Sequence, residues 1–148
     1  MRDSGKRATG PAGVVDPRRI AFALAGIRLA NGLVLLLAPQ AAEVAYLGPR
    51  AGEPTARALS RFTGVRELAL AVGAVVAIRA RRADAEAVAA GALCDGIDAA
   101  ISLVSPGLAL RTRLAAPTAA ASAVAGLWVA RELARARRVA DVSSKRPG

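Results

Sequence analysis

The chain predicts an all-α protein, a four-helix transmembrane bundle with both termini cytoplasmic, and three observations carry that expectation. Apolar residues fill 54% of the 148 positions, and they gather into four blocks of about the twenty residues a bilayer core demands. Basic residues concentrate between the blocks, and mostly on one side. The charges that do interrupt the blocks are three acids and three bases, Arg28, Arg61, Arg66, Glu67, Asp95 and Asp98, which cancel formally. An ionised side chain at a bilayer centre costs about 2.5–3.5 kcal/mol on insertion scales. The six are therefore expected to meet inside the bundle, in a polar cluster shielded from lipid.

The formal net charge of +10 first suggests nucleic acid. Its distribution points to topology instead. With spans at 19–38, 57–78, 85–104 and 113–131, fourteen Lys and Arg fall on the cytoplasmic side and four outside (Arg50, Arg57, Arg111 and Arg113). The other three are the intramembrane arginines, completing the 21. This is the positive-inside bias of a multi-pass protein of the cell membrane, with the anionic cytoplasmic leaflet as its expected partner. One Trp, one Tyr and two Phe offer little for stacking bases, and no nucleic-acid partner is expected. Much of the apolar content is alanine, which gains little in lipid, so a soluble helical bundle is the competing reading; the length of the blocks opposes it. The chain has no His and one Cys, Cys94, which rules out an internal disulfide and argues against a zinc site. No phosphate loop, nucleophile elbow or metal motif occurs, so neither cofactor nor metal is expected.

Residues 1–17 read as a basic, disordered segment. Asp16 and Pro17 start the first helix, as a cap and as a proline that loses no hydrogen bond. It runs to Ala38 and stops at Pro39. Arg28 and Asn31 interrupt what would be the core of a signal peptide, so this helix is read as uncleaved. Residues 39–53 are expected to form an outer loop, with Gly48-Pro49 and Gly52 as turns and Tyr46 as an interfacial anchor. Pro54-Thr55 opens the second helix, to Ile78, and Arg79–Arg82 make a short basic link. Asp84 is expected to cap the third helix, with Glu86 suiting its N-terminal dipole. Ser105-Pro106-Gly107 ends it. The fourth begins near Thr112 or Arg113, with Pro117 in its first turns or as a kink, and Trp128 lies near its cytoplasmic end. The membrane domain thus covers 18–131, and 132–148 is a basic cytoplasmic tail that continues as a surface helix to about Ala140.

Helix geometry sharpens the charged cluster. At 1.5 Å of rise per residue, Arg28, Arg66, Glu67 and Asp95 fall within about one turn of the same depth. Asn31, Thr63 and Asp98 follow one turn outward, with Arg61 higher still. The faces agree as well. Arg28, Asn31 and Gly32 share a side of the first helix, and Ser60, Gly64, Glu67, Ala71 and Ala74 form a stripe on the second. Ala87, Gly91, Asp95, Asp98 and Ser102 line up on the third, and Thr118, Ser122 and Gly126 give the fourth a small-residue face suited to close packing. Asp95 and Asp98 would repel unless Arg28 and Arg66 neutralise them or one stays protonated. Arginine suits that task, since its planar fork holds a carboxylate with two hydrogen bonds.

The run Gly64-Val65-Arg66-Glu67-Leu68-Ala69-Leu70-Ala71-Val72-Gly73 resembles a motif of a family of small four-helix bacterial and fungal membrane proteins, DoxX-like in size and topology. The family pattern is a glycine, a small β-branched residue, Arg and an acid before an apolar stretch. An intramembrane Asp in the third helix often follows, matched here by Asp98 or Asp95. The resemblance covers residues 20–130, implies the same topology and the importance of Arg66, Glu67 and Asp98, and implies no activity.

Three functions are consistent with the cluster. In the first, the polar interior binds a small amphipathic or lipid-like molecule through Arg28, Asn31, Arg61 and Arg66; transport would then require a homodimer. In the second, Asp95, Asp98 or Glu67 acts as general acid or base in a cofactor-free isomerase or cyclase for a hydrophobic substrate, since burial raises a carboxyl pKa toward neutrality. In the third, the protein is an accessory or assembly subunit of a membrane complex, and the ion pairs only fix helix register.

Overall fold

The computed structural model describes residues 16–47, 52–108 and 110–144, and these are helical apart from short turns. The expected disorder over 1–15, the Gly48-Pro49 turn, the side chain of Tyr46 and the chain end at 145–148 lie outside the described residues. Helix α1 is Pro17–Leu37, started as expected: the Asp16 carboxylate accepts the Arg18 N–H at 2.9 Å, with Pro17 in the first turn. The predicted outer loop is a helix over its first part, α2, Pro39–Leu47. Pro39 ends one helix and begins the next, because a proline at a first helical position forfeits no bond. The backbone N–H groups of Ala41 and Ala42 bond back to the Ala38 carbonyl.

Helix α3, Pro54–Ala80, ends where Arg81 takes a left-handed conformation, φ 53°. The N–H groups of Arg81 and Arg82 close onto the Ile78 and Ala77 carbonyls, and Ala83, φ 52°, completes a tight hairpin. Helix α4 is Asp84–Val104. Asp84 does not cap it from outside, as expected, but is its first residue, with its carboxylate turned to other work. After Ser105-Pro106-Gly107 comes a single turn, α5, Leu110–Leu114, and then α6, Ala116–Ser144. Pro117 therefore sits in the first turn of α6, where it needs no kink. The last helix passes residue 131 without interruption, since Leu133 is buried and Ala134 packs against the core, so its basic half belongs to the bundle.

Two of these helices, α1 and α4, are long and apolar enough to cross a membrane, against the four spans expected. Arg57, Arg61, Arg66, Glu67 and Arg79 set α3 apart. An Ala-, Ser- and Thr-rich start followed by arginines sets α6 apart. Only 22% of the apolar stretch of either α1 or α4 is buried, and Leu33, Val34 and Leu37 face outward from α1 as do Leu93, Ile97 and Val104 from α4. Single exposed apolar residues are ordinary, but contiguous faces of them call for a nonaqueous neighbour.

The helices form two intimate pairs, α1 with α3 and α4 with α6, joined more loosely to each other. Glycine makes the first pair possible: a Cβ on Gly32 would stand 2.9 Å from the Gly64 carbonyl oxygen, and one on Gly64 equally close to the Gly32 oxygen. In the second pair a Cβ on Gly126 would lie 2.8 Å from that of Ala92. At the end carrying the α3–α4 hairpin, Ala21, Ala25, Ala74, Ile78, Val88, Val129 and Leu133 close a common core over both pairs.

The glycine crossing makes a prediction. Gly64→Ala should lower the unfolding free energy in detergent by about 1–3 kcal/mol, the usual cost of overpacking. Gly73→Ala, whose new methyl meets nothing within 4 Å, should raise it by about 0.5–1 kcal/mol through helix propensity. Thermal denaturation followed by circular dichroism reads both, and matching responses would remove the α1–α3 contact.

Candidate functional site

The close approach at Gly32 and Gly64 sets Arg28, one turn before Gly32, opposite Glu67, one turn after Gly64. Arg28 Nη1 donates to Glu67 Oε2 at 2.7 Å, and its Nη2 donates to Asp95 Oδ2 at 2.5 Å and to the Gly91 carbonyl at 2.9 Å. Gly91 makes room for this reach, since a Cβ there would stand 3.1–3.3 Å from the guanidinium. Arg66 donates to Glu67 Oε1 at 3.1 Å and grips Asp98 with both terminal nitrogens, at 3.1 and 2.5 Å. The result is one chain of alternating charge across three helices: Asp95, Arg28, Glu67, Arg66, Asp98.

Burial falls away from its centre. The side chain of Glu67 is 5% exposed, Arg28 13% and Asp95 16%, whereas Arg66 and Asp98 are each 39% exposed. A carboxylate as buried as Glu67 requires opposite charges and hydrogen bonds in place of water, and here one guanidinium sits on each oxygen. Arg66 Nε is buried without a partner.

Five of the expected site residues thus meet, and two behave differently. Arg61 is exposed and takes no part. Five residues before Arg66, it points about 140° away around the helix, so it stands outside the charged cluster in which it was expected. With Arg61 absent the charges do not cancel, because two guanidiniums face three carboxylates. Asn31 lines the cavity next to the chain but makes no side-chain hydrogen bond to any described residue.

That cavity, of about 820 Å³, lies between the α1–α3 pair and the α4–α6 pair. All five charged residues stand on its wall with Thr63, Ser102, Thr118 and Ser122. Leu24, Leu35, Leu70 and Ile101 supply apolar surface, and Ala45 of α2 and Leu114 of α5 border the end away from the α3–α4 hairpin. The volume is in the range of small-molecule sites, and so is the pattern of an apolar lining with a few convergent polar groups. Among the described residues no three His, Cys, Asp or Glu are grouped to hold a metal.

Two buried acids escaped the sequence reading. Glu43 on α2 is 1% exposed; its Oε2 accepts the Gly52 N–H at 2.6 Å while its Oε1 has no partner. Reading 39–53 as a loop hid it, although an acid on the same face as the buried Pro39 was a usable signal. Asp84 is the second. Buried at the hairpin end, it accepts from Arg18 Nη2 at 3.1 Å, Arg137 Nη2 at 2.5 Å and the Ala85 N–H at 3.0 Å. Arg137 also reaches both oxygens of Glu86 at 3.2 Å, and the bonds to Asp84 and then Glu86 hold its guanidinium above the ordinary arginine value. This second cluster ties α1, α4 and α6 together beyond the apolar core.

The gradient of burial orders the effects of mutation. Glu67→Gln, which strips both arginines of a charge partner, should cost about 3–5 kcal/mol in stability. Asp98→Asn, at the open end, should cost about 1 kcal/mol, and Arg61→Gln should stay within about 0.5 kcal/mol of the parent. Denaturant unfolding in detergent measures all three, and a loss at Asp98 larger than that at Glu67 would displace Glu67 from the centre of the network.

No family model, no curated protein and no solved structure matches the chain. The likeness of residues 64–73 to the small four-helix membrane family therefore stays at the level of that motif, and the functional reading rests on the geometry of the ion chain and its cavity.

Proposed function

We propose that this chain is a multi-pass membrane protein that binds a small amphipathic, lipid-like molecule in the cavity between its helix pairs, polar end against the ion chain. One observation carries the reading: the cavity of about 820 Å³ has a wall of alternating ions on one part and leucine, isoleucine and alanine on the rest. An amphiphile satisfies both parts at once.

The membrane setting is supported by the outward faces of α1 and α4, which lipid solvates and water does not. Two of the five charges that disqualify α3 by composition, Arg66 and Glu67, are paired inside the bundle, at 2.7 Å for Arg28–Glu67 and 2.5 Å for Arg66–Asp98. A hydropathy scale penalises them as though they were bare, so α3 and α6 are read here as the second and fourth spans. Arg18, Arg79, Arg81, Arg82, Arg131, Arg135, Arg137 and Arg138 all fall at the end that carries the α3–α4 hairpin. That end is the cytoplasmic one by the positive-inside rule, and it faces anionic lipid.

Acid–base isomerisation of a hydrophobic substrate is a second reading, favoured by one feature. Asp95 lines the cavity with an oxygen that no described residue engages, whereas Asp98 has both oxygens on Arg66. A general acid or base would be Asp95.

The expected behaviour is retention in membranes through an alkaline wash, release only by detergent, and a bound small amphiphile in native mass spectra. Ser122→Phe, which fills the cavity, should abolish the bound mass while helicity stays unchanged. Recovery as a monodisperse species from buffer without detergent would overturn the membrane reading, and a bundle that stays empty in the presence of short-chain amphiphiles would overturn the binding one.

A further inference from the structure

We propose that the molecule bound in the cavity carries a positive headgroup, a protonated amine on an alkyl or similar apolar tail, seated on Asp95. The inference deepens the amphiphile reading and rests on it. It starts from the charge count. Two guanidiniums, of Arg28 and Arg66, face three carboxylates, of Glu67, Asp95 and Asp98, so the network carries one surplus negative charge. No other cation of the described residues makes it good. Arg61 points elsewhere, Arg18 and Arg137 are held by Asp84, and Arg57 lies ten residues along α3, about 15 Å away by helical rise.

The surplus has a location. Glu67 gives an oxygen to each arginine, and Asp98 gives both of its oxygens to Arg66. Asp95 gives only Oδ2, to Arg28, and its Oδ1 has no partner among the described residues while the side chain forms part of the cavity wall. The carboxylate with lone pairs to spare therefore stands on the cavity wall. An uncompensated ion out of water is costly, and a single ammonium at this position removes that cost.

The surroundings suit a cation and not an anion. Ser102, Thr118 and Ser122 add hydroxyls to the cavity wall that can accept N–H bonds, while the unengaged lone pairs of Asp95 set the sign. The terminal nitrogens of both arginines already lie on carboxylates, and Arg66 Nε is buried, so the positive charge of each guanidinium is already engaged. An anionic headgroup would meet Asp95 with no free cation to receive it.

The test compares three ligands of one tail length, decylammonium, decanol and decyl sulfate, binding at neutral pH to the purified protein in a neutral detergent, by calorimetry. The unaltered protein should bind decylammonium at least about tenfold tighter than decanol and decyl sulfate most weakly. Asp95→Asn leaves two cations on two acids, and should reduce the preference for ammonium over alcohol to within about twofold. Asp95→Glu, which keeps the charge, should retain the preference. Equal binding of decylammonium and decanol by the unaltered protein, or a tenfold preference surviving in Asp95→Asn, would overturn the assignment of charge and leave the cavity reading standing. Failure of all three to bind would end both.

Discussion

Glu67 is the constraint from which the rest of this structure follows. Its carboxylate is removed from solvent and divided between Arg28 on a neighbouring helix and Arg66 on its own. Neither arginine stops there, since each carries the charge onward to an aspartate of α4. Removing any inner member leaves an ion stranded in a medium that solvates it poorly, so α1, α3 and α4 are fixed in depth and rotation relative to one another. Apolar packing alone would leave that register loose in a bundle so rich in alanine, whose side chains interlock weakly.

Small residues and ions divide the work. At Gly32–Gly64 and Gly126–Ala92 the helices approach until backbone meets backbone or the Ala92 methyl meets the Gly126 backbone, which brings many atoms of the two helices into van der Waals contact. These contacts pair α1 with α3 and α4 with α6. The ion chain then bridges the pairs at mid-height, and the Asp84–Arg18–Arg137 cluster ties them at the hairpin end. Between two bridges and an apolar core the pairs need not touch elsewhere, and the cavity is the space that remains. Its position against the ions is thus a consequence of the same geometry that holds the fold.

Much of this was legible in the sequence because it depends on helical periodicity. Depth and face, counted along three helices, brought Arg28, Glu67, Asp95, Arg66 and Asp98 together before any coordinates. The same counting failed for Arg61 because depth was considered without azimuth, and five residues of rotation turn it away from Arg66. Local breaks were less legible. Pro39 reads as a stop, yet a proline that closes one helix serves equally as the first residue of another, and the helix it opens carries the buried Glu43. Asp84 and Arg137 are 53 positions apart, each beside other charges in a segment that reads as a solvated link or tail. Nothing local marks them as partners, since only the packing of α4 against α6 brings them together. Spans were the least legible of all: two helices, α1 and α4, are long and apolar enough to cross a membrane against the four expected, and a scale that scores each residue singly cannot register that Arg66 and Glu67 of α3 have partners on α4 and α1.

The central claim, that Arg28 and Glu67 are an ion pair buried between α1 and α3, is tested most directly by a double-mutant cycle. Arg28→Gln, Glu67→Gln and the combination are unfolded in the same detergent as the parent. The account predicts that the double variant is less destabilised than the sum of the two single ones, with a coupling energy of about 1–3 kcal/mol. Additivity to within about 0.5 kcal/mol, the behaviour of residues that do not touch, would contradict it.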